Sequence, residues 1–368
     1  MDITALTDRI ERARTATASA GVDALLVTPG PNLRYLTGYD AIPLERLTCL
    51  VLRTDADPVL VSPRLEVPAA AASPAGRLGF DIMGWEETDD PYALVASLLP
   101  PTGIVGLDDV MAAAKVLSLR DAMPGVQQSL AGPVLRELRR RKDAHEIEHL
   151  AAAGAAIDRV HARVPELLRV GRTEAEVGHD LAEAIVAEGH TTVDFVIVAS
   201  GPNGASPHHD LSDRVIEVGD PVVVDIGGTM PSGYCSDSTR TYSVGQPPED
   251  FLAYYSVLQK AQHASVQHVR PGVSAESIDA AARAPITDAG YGDHFIHRTG
   301  HGIGLESHEE PYIIRGNTEP VDVGMTFSIE PGIYLEGRHG ARIEDIVVVT
   351  VDGVRSLNQS PHDLVVVE

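Results

Sequence analysis

The 368-residue chain has only two cysteines, Cys49 and Cys235, too few for a disulfide framework, and this fits a reducing compartment. It has no uninterrupted apolar run of the roughly 18 residues that a helical membrane span requires, so no span is expected. The first residues, MDITALTDRIERARTATASA, lack the apolar stretch of a signal peptide, and a cytoplasmic location is the expectation. Low-complexity segments and short-period repeats are absent. Basic residues are scarce as well: 29 Lys and Arg stand against 53 Asp and Glu, for a net charge of −24. Binding to nucleic acid needs a basic surface that releases phosphate counterions, and an anionic bilayer attracts basic segments, so neither partner is expected. The negative charge serves solubility in the first place. Whether some of the acids are metal ligands depends on where they sit.

What is present is ample apolar material, 43% of the residues, in a chain long enough for two domains. The first part alternates element types. A helix is expected over 4–20, strands over 24–28, 47–52 and 58–63, a helix over 65–72, a strand over 76–85, a helix near 91–99 and a strand over 103–108. This alternation predicts an α/β domain over residues 1–135. An alanine-rich, charged and helical stretch follows, with LRELRRRKDAHEIEHL as a connector. Thr173 and Glu176 have the spacing of a capping box, and RPGVSAES reads as another helix start. From residue 192 the chain is rich in strands: VDFVIVAS, PVVVDIGG, STRTYSVG, MTFSIEPGIY and ARIEDIVVVT, with helices over 249–269 and 274–289. Residues 136–368 are therefore expected to form an α+β second domain. In the first domain Trp85, Asp89 and Asp90 have two readings, approach to a partner subunit's site or ordinary packing.

The informative residues are carboxylates embedded in apolar strands. Asp225 ends the valine run of VVVDIGG, Glu330 follows the apolar stretch of TFSIEPGIY, and Glu344 lies between isoleucine and the valines of ARIEDIVVVT. A buried, unpaired carboxylate is costly, so each needs a partner. Taken singly, each has a structural explanation: Asp225 as a strand-end turn residue, Glu344 as an ion pair with Arg342, and Asp237 in CSDSTRT as a turn cap. Taken together with His301 in TGHGIG, they are more economically explained by a shared cation. Four carboxylates and one imidazole, with no thiolate, do not match structural zinc and suit harder divalent ions. So many anionic ligands can hold two ions about 3.5–4 Å apart.

The ordered set VVVDIGG, SDSTRT, HRTGHGIGLESHEEP, SIEPGIY and RIEDIV resembles the pita-bread metallopeptidases, the family that contains prolidase, aminopeptidase P, methionine aminopeptidase and creatinase. PNLRYLTGY resembles the creatinase/prolidase N-terminal domain, so the resemblance spans essentially the whole chain. It implies a creatinase/prolidase-like α/β domain followed by a pita-bread catalytic domain. It implies the ligands Asp225, Asp237, His301, Glu330 and Glu344, holding two divalent ions, manganese first, with cobalt or zinc as alternatives. It also implies substrate contacts at His208, His297 and His308, with Arg342 beside them, and a homodimer.

The activity implied is hydrolysis of Xaa-Pro bonds in small peptides, in the manner of an Xaa-Pro dipeptidase. A hydroxide generated between the ions attacks the scissile carbonyl. His308 donates to the developing oxyanion, and Glu330 shuttles the proton to the proline nitrogen. His297 and His208 hold the substrate backbone. Many prolidases carry arginine where this chain has Tyr312, and it binds the free carboxylate of a dipeptide; Arg315 lies three residues on. This departure keeps open an aminopeptidase P acting on longer peptides. A non-catalytic binding protein is the rival from another class, but such relatives lose ligands and this chain keeps all five.

Overall fold

In the computed structural model, which describes residues 2–368, the chain forms two compact units, one ending at Arg139 and the next beginning at Arg140. In the first unit, strands β1 (Ala24–Val27), β2 (Cys49–Arg53), β3 (Val59–Pro63), β4 (Asp81–Trp85), β5 (Gly103–Leu107) and β6 (Val126–Leu130) form one sheet in the order β4-β3-β2-β1-β5-β6. β1–β2 and β2–β3 pair antiparallel, and the other pairs are parallel. The helices are α1 (Ile3–Ser19), α2 (Pro31–Thr37), α3 (Val67–Ala72), α4 (Pro91–Ser97), α5 (Ala113–Ala122) and α6 (Gly132–Arg139). β1 is buried along its whole length, as expected of an apolar strand at the centre of a mixed sheet. α2 was not expected from the sequence: Pro31 opens its first turn, and Gly38, at φ +67°, closes it in a left-handed conformation that glycine adopts freely.

A division after residue 135 would cut α6. Val134 and Leu135 are buried, and Arg139 donates to Asn32 Oδ1 at 2.9 Å, so the whole helix belongs to the first unit. The strand expected over 76–85 starts only at Asp81, because Pro74–Arg77 forms a short 3-10 turn capped by Ser73. Trp85 is buried and donates to the Leu47 carbonyl at 2.9 Å, Asp90 caps α4, and Asp89 accepts from the Glu86 amide at 2.8 Å. Each of these three side chains thus has a local structural role.

The second unit begins with α7 (Ala144–Leu167) and α8 (Glu174–Ala187). The expected capping box is present: Glu176 N donates to Thr173 Oγ1 at 3.2 Å, and Thr173 N donates to Glu176 Oε2 at 2.9 Å. Next come β7 (Thr192–Ser200), β8 (Pro221–Thr229), β9 (Cys235–Val244), α9 (Glu249–His268) and α10 (Ala275–Asp288). The remaining strands are β10 (Gly300–Gly302), β11 (Glu309–Ile313), β12 (Thr326–Ile329), β13 (Gly332–Leu335), β14 (His339–Arg342), β15 (Asp345–Thr350), β16 (Gly353–Ser356) and β17 (Val365–Val367). They form sheets ordered β17-β9-β8-β7 and β11-β10-β12-β15-β16, plus the hairpin β13-β14. Ile157, Val160, Val177 and Leu181 of α7 and α8 pack on Val198, Val222, Val224 and Ile226 of the first sheet. Phe251, Tyr254 and Ile286 of α9 and α10 pack on Ile333 and Ile343 near the hairpin. Each such large apolar side chain contributes about 1.5–3 kcal/mol on burial.

Two expected strands are each broken. MTFSIEPGIY divides at Glu330-Pro331 into β12 and β13, and ARIEDIVVVT divides at Ile343-Glu344 into β14 and β15. The breaks face each other: Ile329 pairs with Asp345 on one side, and Gly332 pairs with Arg342 on the other. Pro331 has no amide hydrogen to give a continuous ladder, so the two strands leave one sheet together at this level. Glu330 and Glu344 sit side by side in the gap.

Candidate metal centre and active site

Five elements converge on this gap. Asp225 and Asp237 lie on neighbouring strands, with Asp225 opposite Thr239 and Gly227 opposite Asp237. Successive side chains alternate faces, so both acids and Thr239 point to the same side of the sheet. His301 is the middle residue of β10. Its glycine neighbours are required there, because a Cβ at Gly300 would collide with the Ser328 backbone and one at Gly302 with the backbone of Glu309 and Glu310.

The carboxylates and His301 fall into overlapping groups: Asp225, Asp237 and Glu344; His301, Glu330 and Glu344; and Asp237, His301 and His308. Within each group the donor atoms lie within 4.8 Å of one another. His301 Nε2 is 3.3 Å from Glu330 Oε1 and 3.7 Å from Asp237 Oδ2. His301 Nδ1 is 3.1 Å from the Gly302 carbonyl, which assigns it the proton and leaves Nε2 with a lone pair facing the acids. Ser328 links two of these residues, accepting from the His301 amide at 3.0 Å and donating to Glu330 at 3.1 Å.

The electrostatics are those of an anion cluster short of positive charge. Burial, followed by repulsion from neighbouring acids, pushes the Asp237 and Glu344 carboxyls well above their usual range. Burial pushes Glu330 up to about 7, against the pull of Arg342. Burial pushes His301 down to about 3, which keeps its imidazole neutral. Among the described residues Asp225 Oδ1 is buried with no hydrogen-bond partner. An orphaned carboxylate oxygen among three further acids fits divalent cations bound by hard oxygen donors.

Arg342 lies under the cluster. It pairs with Asp225, with Nη2 to Oδ2 at 2.5 Å, rather than directly with Glu344. It reaches Glu344 through Thr239: Arg342 Nε donates to Thr239 Oγ1 at 3.1 Å, and Thr239 Oγ1 donates to Glu344 at 2.8 Å. Its Nη1 donates to the Tyr334 hydroxyl at 2.8 Å, and that hydroxyl is 2.8 Å from His297 Nε2. Thr239, Ser328 and Tyr334 were not singled out from the sequence. Hydroxyls inside otherwise apolar strands were the signal, because a buried hydroxyl requires partners.

A cavity of about 1430 Å³ opens over the cluster. Its walls include all five convergent residues together with His208, His297, His308, Arg298, Arg315 and Arg342. His308 stacks edge-on against His301, with ring centroids 3.9 Å apart. Neither His208 nor His308 has a hydrogen-bond partner among the described residues, so their ring nitrogens are available to a guest. His297 differs: Nδ1 bonds the Arg298 carbonyl at 2.7 Å and Nε2 bonds Tyr334. A substrate contact from its Nε2 requires exchange of the Tyr334 bond. Tyr312 does not line this cavity; it stacks under Arg298, whose guanidinium lies 4.5 Å from the ring centroid.

A two-part chain whose second part gathers four carboxylates and a neutral imidazole beneath a large cavity defines a metal-dependent hydrolase of the pita-bread class. The chain belongs to metallopeptidase family M24, whose model matches residues 148–351, while the creatinase/prolidase N-terminal domain model matches residues 9–141. It is 56% identical over 360 residues to the probable dipeptidase PepE of Mycobacterium tuberculosis, covering 98% of this chain and 96% of that protein. It is 36% identical to the Xaa-Pro dipeptidase of Lactobacillus helveticus, covering 91% and 92%. The crystal structure of dipeptidase PepE from Mycobacterium ulcerans superposes with a TM-score of 0.95 at 56% identity, covering 100% of this chain and 99% of that one. The chain is thus a metallopeptidase, and its family implies divalent metal ions. No helix is long and apolar enough to cross a membrane among the described residues.

Proposed function

We propose that this enzyme is an Xaa-Pro dipeptidase that holds two divalent ions with Asp225, Asp237, His301, Glu330 and Glu344. The observation that carries the reading is the convergence of these five side chains around the partnerless Oδ1 of Asp225. Manganese is the favoured ion, because four of the five donors are carboxylates and one is an imidazole. The family resemblance supports a homodimer in the cytoplasm.

Ions bound there supply Lewis acidity and a water of lowered pKa. The remaining chemistry falls to the chain's own residues. Glu330 is the most accessible of the four acids, with its side chain 15% exposed, and it carries the proton from water to the departing proline nitrogen. His308, free of protein partners and packed on His301, donates to the carbonyl oxygen as it gains charge. His208 and His297, both in the cavity wall, hold the peptide backbone. Arg298 and Arg315 supply the cavity with guanidinium groups for a free carboxylate, which supports a dipeptide despite Tyr312. An Xaa-Pro bond has no N–H, so a site that demands no donor there accepts it.

The test is hydrolysis by the Mn²⁺-supplemented enzyme of an Xaa-Pro dipeptide, an Xaa-Pro-Yaa tripeptide and a proline-free dipeptide. Preference for the first supports the proposal. Preference for the tripeptide instead supports an aminopeptidase of the P type. Equal cleavage of the proline-free dipeptide removes the prolyl assignment.

A further inference from the structure

The cavity wall formed by the segment after β7 carries Pro207, His208, His209, Asp210 and Leu211. Packing holds this segment only weakly: from Ala205 to Val215 no apolar side chain is buried, and Leu211, laid against Gly178 of α8, is still 39% exposed. A segment without buried apolar contacts opens at low cost unless polar bonds fix it.

Those bonds converge on one carboxylate. Glu174, the first residue of α8, has a side chain with no solvent exposure. Its Oε1 accepts from the Ser200 amide and hydroxyl, both at 2.7 Å, and from Asn203 at 3.1 Å. Its Oε2 accepts from Asn203 at 3.0 Å, from the Ser212 hydroxyl at 2.5 Å and from His209 Nε2 at 2.8 Å. Two backbone bonds reinforce the arrangement, Glu174 N to Arg214 O at 3.1 Å and Ala175 N to Ser212 O at 3.0 Å. At the far end Arg214 donates to Ser200 Oγ at 2.6 Å and pairs with Asp220 at 2.6 Å. One ionised side chain therefore joins both ends and the middle of the segment, and it binds the histidine adjacent to His208. His208 itself faces the cavity near His297 and His308, whose protonation it opposes.

We propose that Glu174 is a positioning residue for substrate binding: by gathering the donors of segment 200–212 it fixes the direction in which His208 presents its imidazole to the peptide. This rests on the reading that His208 contacts substrate. Removing an acceptor from the hub loosens the middle of the segment, around His208 and His209, whose other anchors lie at Ser212 and Arg214. Metal residues on β8, β9, β10 and the broken strands are untouched, so the effect falls on binding of substrate.

The experiment is a double-mutant cycle in the full-length, Mn²⁺-loaded enzyme with an Xaa-Pro dipeptide. It compares Glu174→Gln, His208→Ala and the double variant, with kcat, KM and metal content measured for each. Glutamine keeps the volume but turns one acceptor into an NH₂ group among existing donors. The expected result is a KM raised about tenfold in Glu174→Gln with kcat and metal content held, and no further rise when Glu174→Gln is added to His208→Ala. Additive effects in the double variant overturn the proposal, as does a joint fall of kcat and metal content. An unchanged KM in Glu174→Gln, alongside a raised KM in His208→Ala, overturns the role of Glu174 alone. An unchanged KM in His208→Ala removes the substrate role of His208, and the proposal with it. Should Glu174→Gln fail to fold, Ser212→Ala, which deletes a single donor to the hub, carries the same cycle with the same outcomes.

Discussion

Arg342 and Asp225 form a buried pair, with Nη2 2.5 Å from Oδ2, and the same guanidinium reaches Tyr334 and Thr239 through its other nitrogens. A planar fork can meet three partners at once, whereas a lysine ammonium on a flexible stem cannot reproduce that geometry. Arg342→Lys is therefore expected to behave almost as badly as Arg342→Met. Removing one partner leaves an uncompensated buried acid, which costs roughly 3–5 kcal/mol. Loss of a group that orients a ligand lowers metal affinity about 10- to 100-fold. Denaturant unfolding of the chelated protein and calorimetric Mn²⁺ titration measure the two effects. Wild-type affinity in Arg342→Met would show that the pair is decorative.

Tyr334 joins Arg342 to His297 through one hydroxyl, and burial pushes that phenol up to about 12, so it stays protonated. Tyr334→Phe keeps the ring and deletes the link. KM should rise about tenfold while metal content stays at the wild-type level, because no acid of the cluster loses a partner. A loss of metal with Tyr334→Phe would contradict this division of labour.

Much of this site was legible in the sequence because a carboxylate inside a valine run has few explanations. What was not legible is how strands with continuous apolar patterns break. SIEPGIY and RIEDIV read as single strands, and the facing breaks that bring Glu330 and Glu344 together depend on pairing between segments distant in the chain. The partner of Arg342 was hidden for the same reason, since Asp225 is 117 residues away in sequence and closer than Glu344 in function. In the first unit α2 was not legible because the PGP after β1 is a strand-stopping signal, although proline also opens helices.

Glu174 gives the fold an acid-sensitive component. Burial alone would raise its carboxyl, but bonds from Ser212, Ser200 and His209 outweigh this and hold it below the usual range. Arg214 is the cationic group that faces it, and His209 Nε2 lies 2.8 Å from its Oε2. A folded pKa below the unfolded one contributes stability that is complete above the unfolded value, about 4.3, and is lost as pH falls from there through the folded value. The Tm of the wild-type protein should therefore drop more steeply below about pH 4.5 than that of Glu174→Gln. Parallel curves in scanning calorimetry would refute the assignment.

Both cysteines are free and buried, and burial pushes the Cys49 thiol up to about 12. The thiolate is the reactive form, so native protein at neutral pH should resist iodoacetamide. Labelling of Cys49, read by mass spectrometry, should appear only with denaturant. Rapid native labelling would show that the centre of the first sheet opens.

The central claim is that five side chains hold the ions on which hydrolysis depends. Metal analysis beside activity tests it most directly, in the wild type and in the double variant Asp237→Ala with Glu344→Ala. The wild type should carry about two divalent ions per chain and lose metal and peptide hydrolysis together on chelation. The double variant should bind less metal and be inactive. Hydrolysis that persists in the double variant, or in fully chelated wild type, would contradict the account.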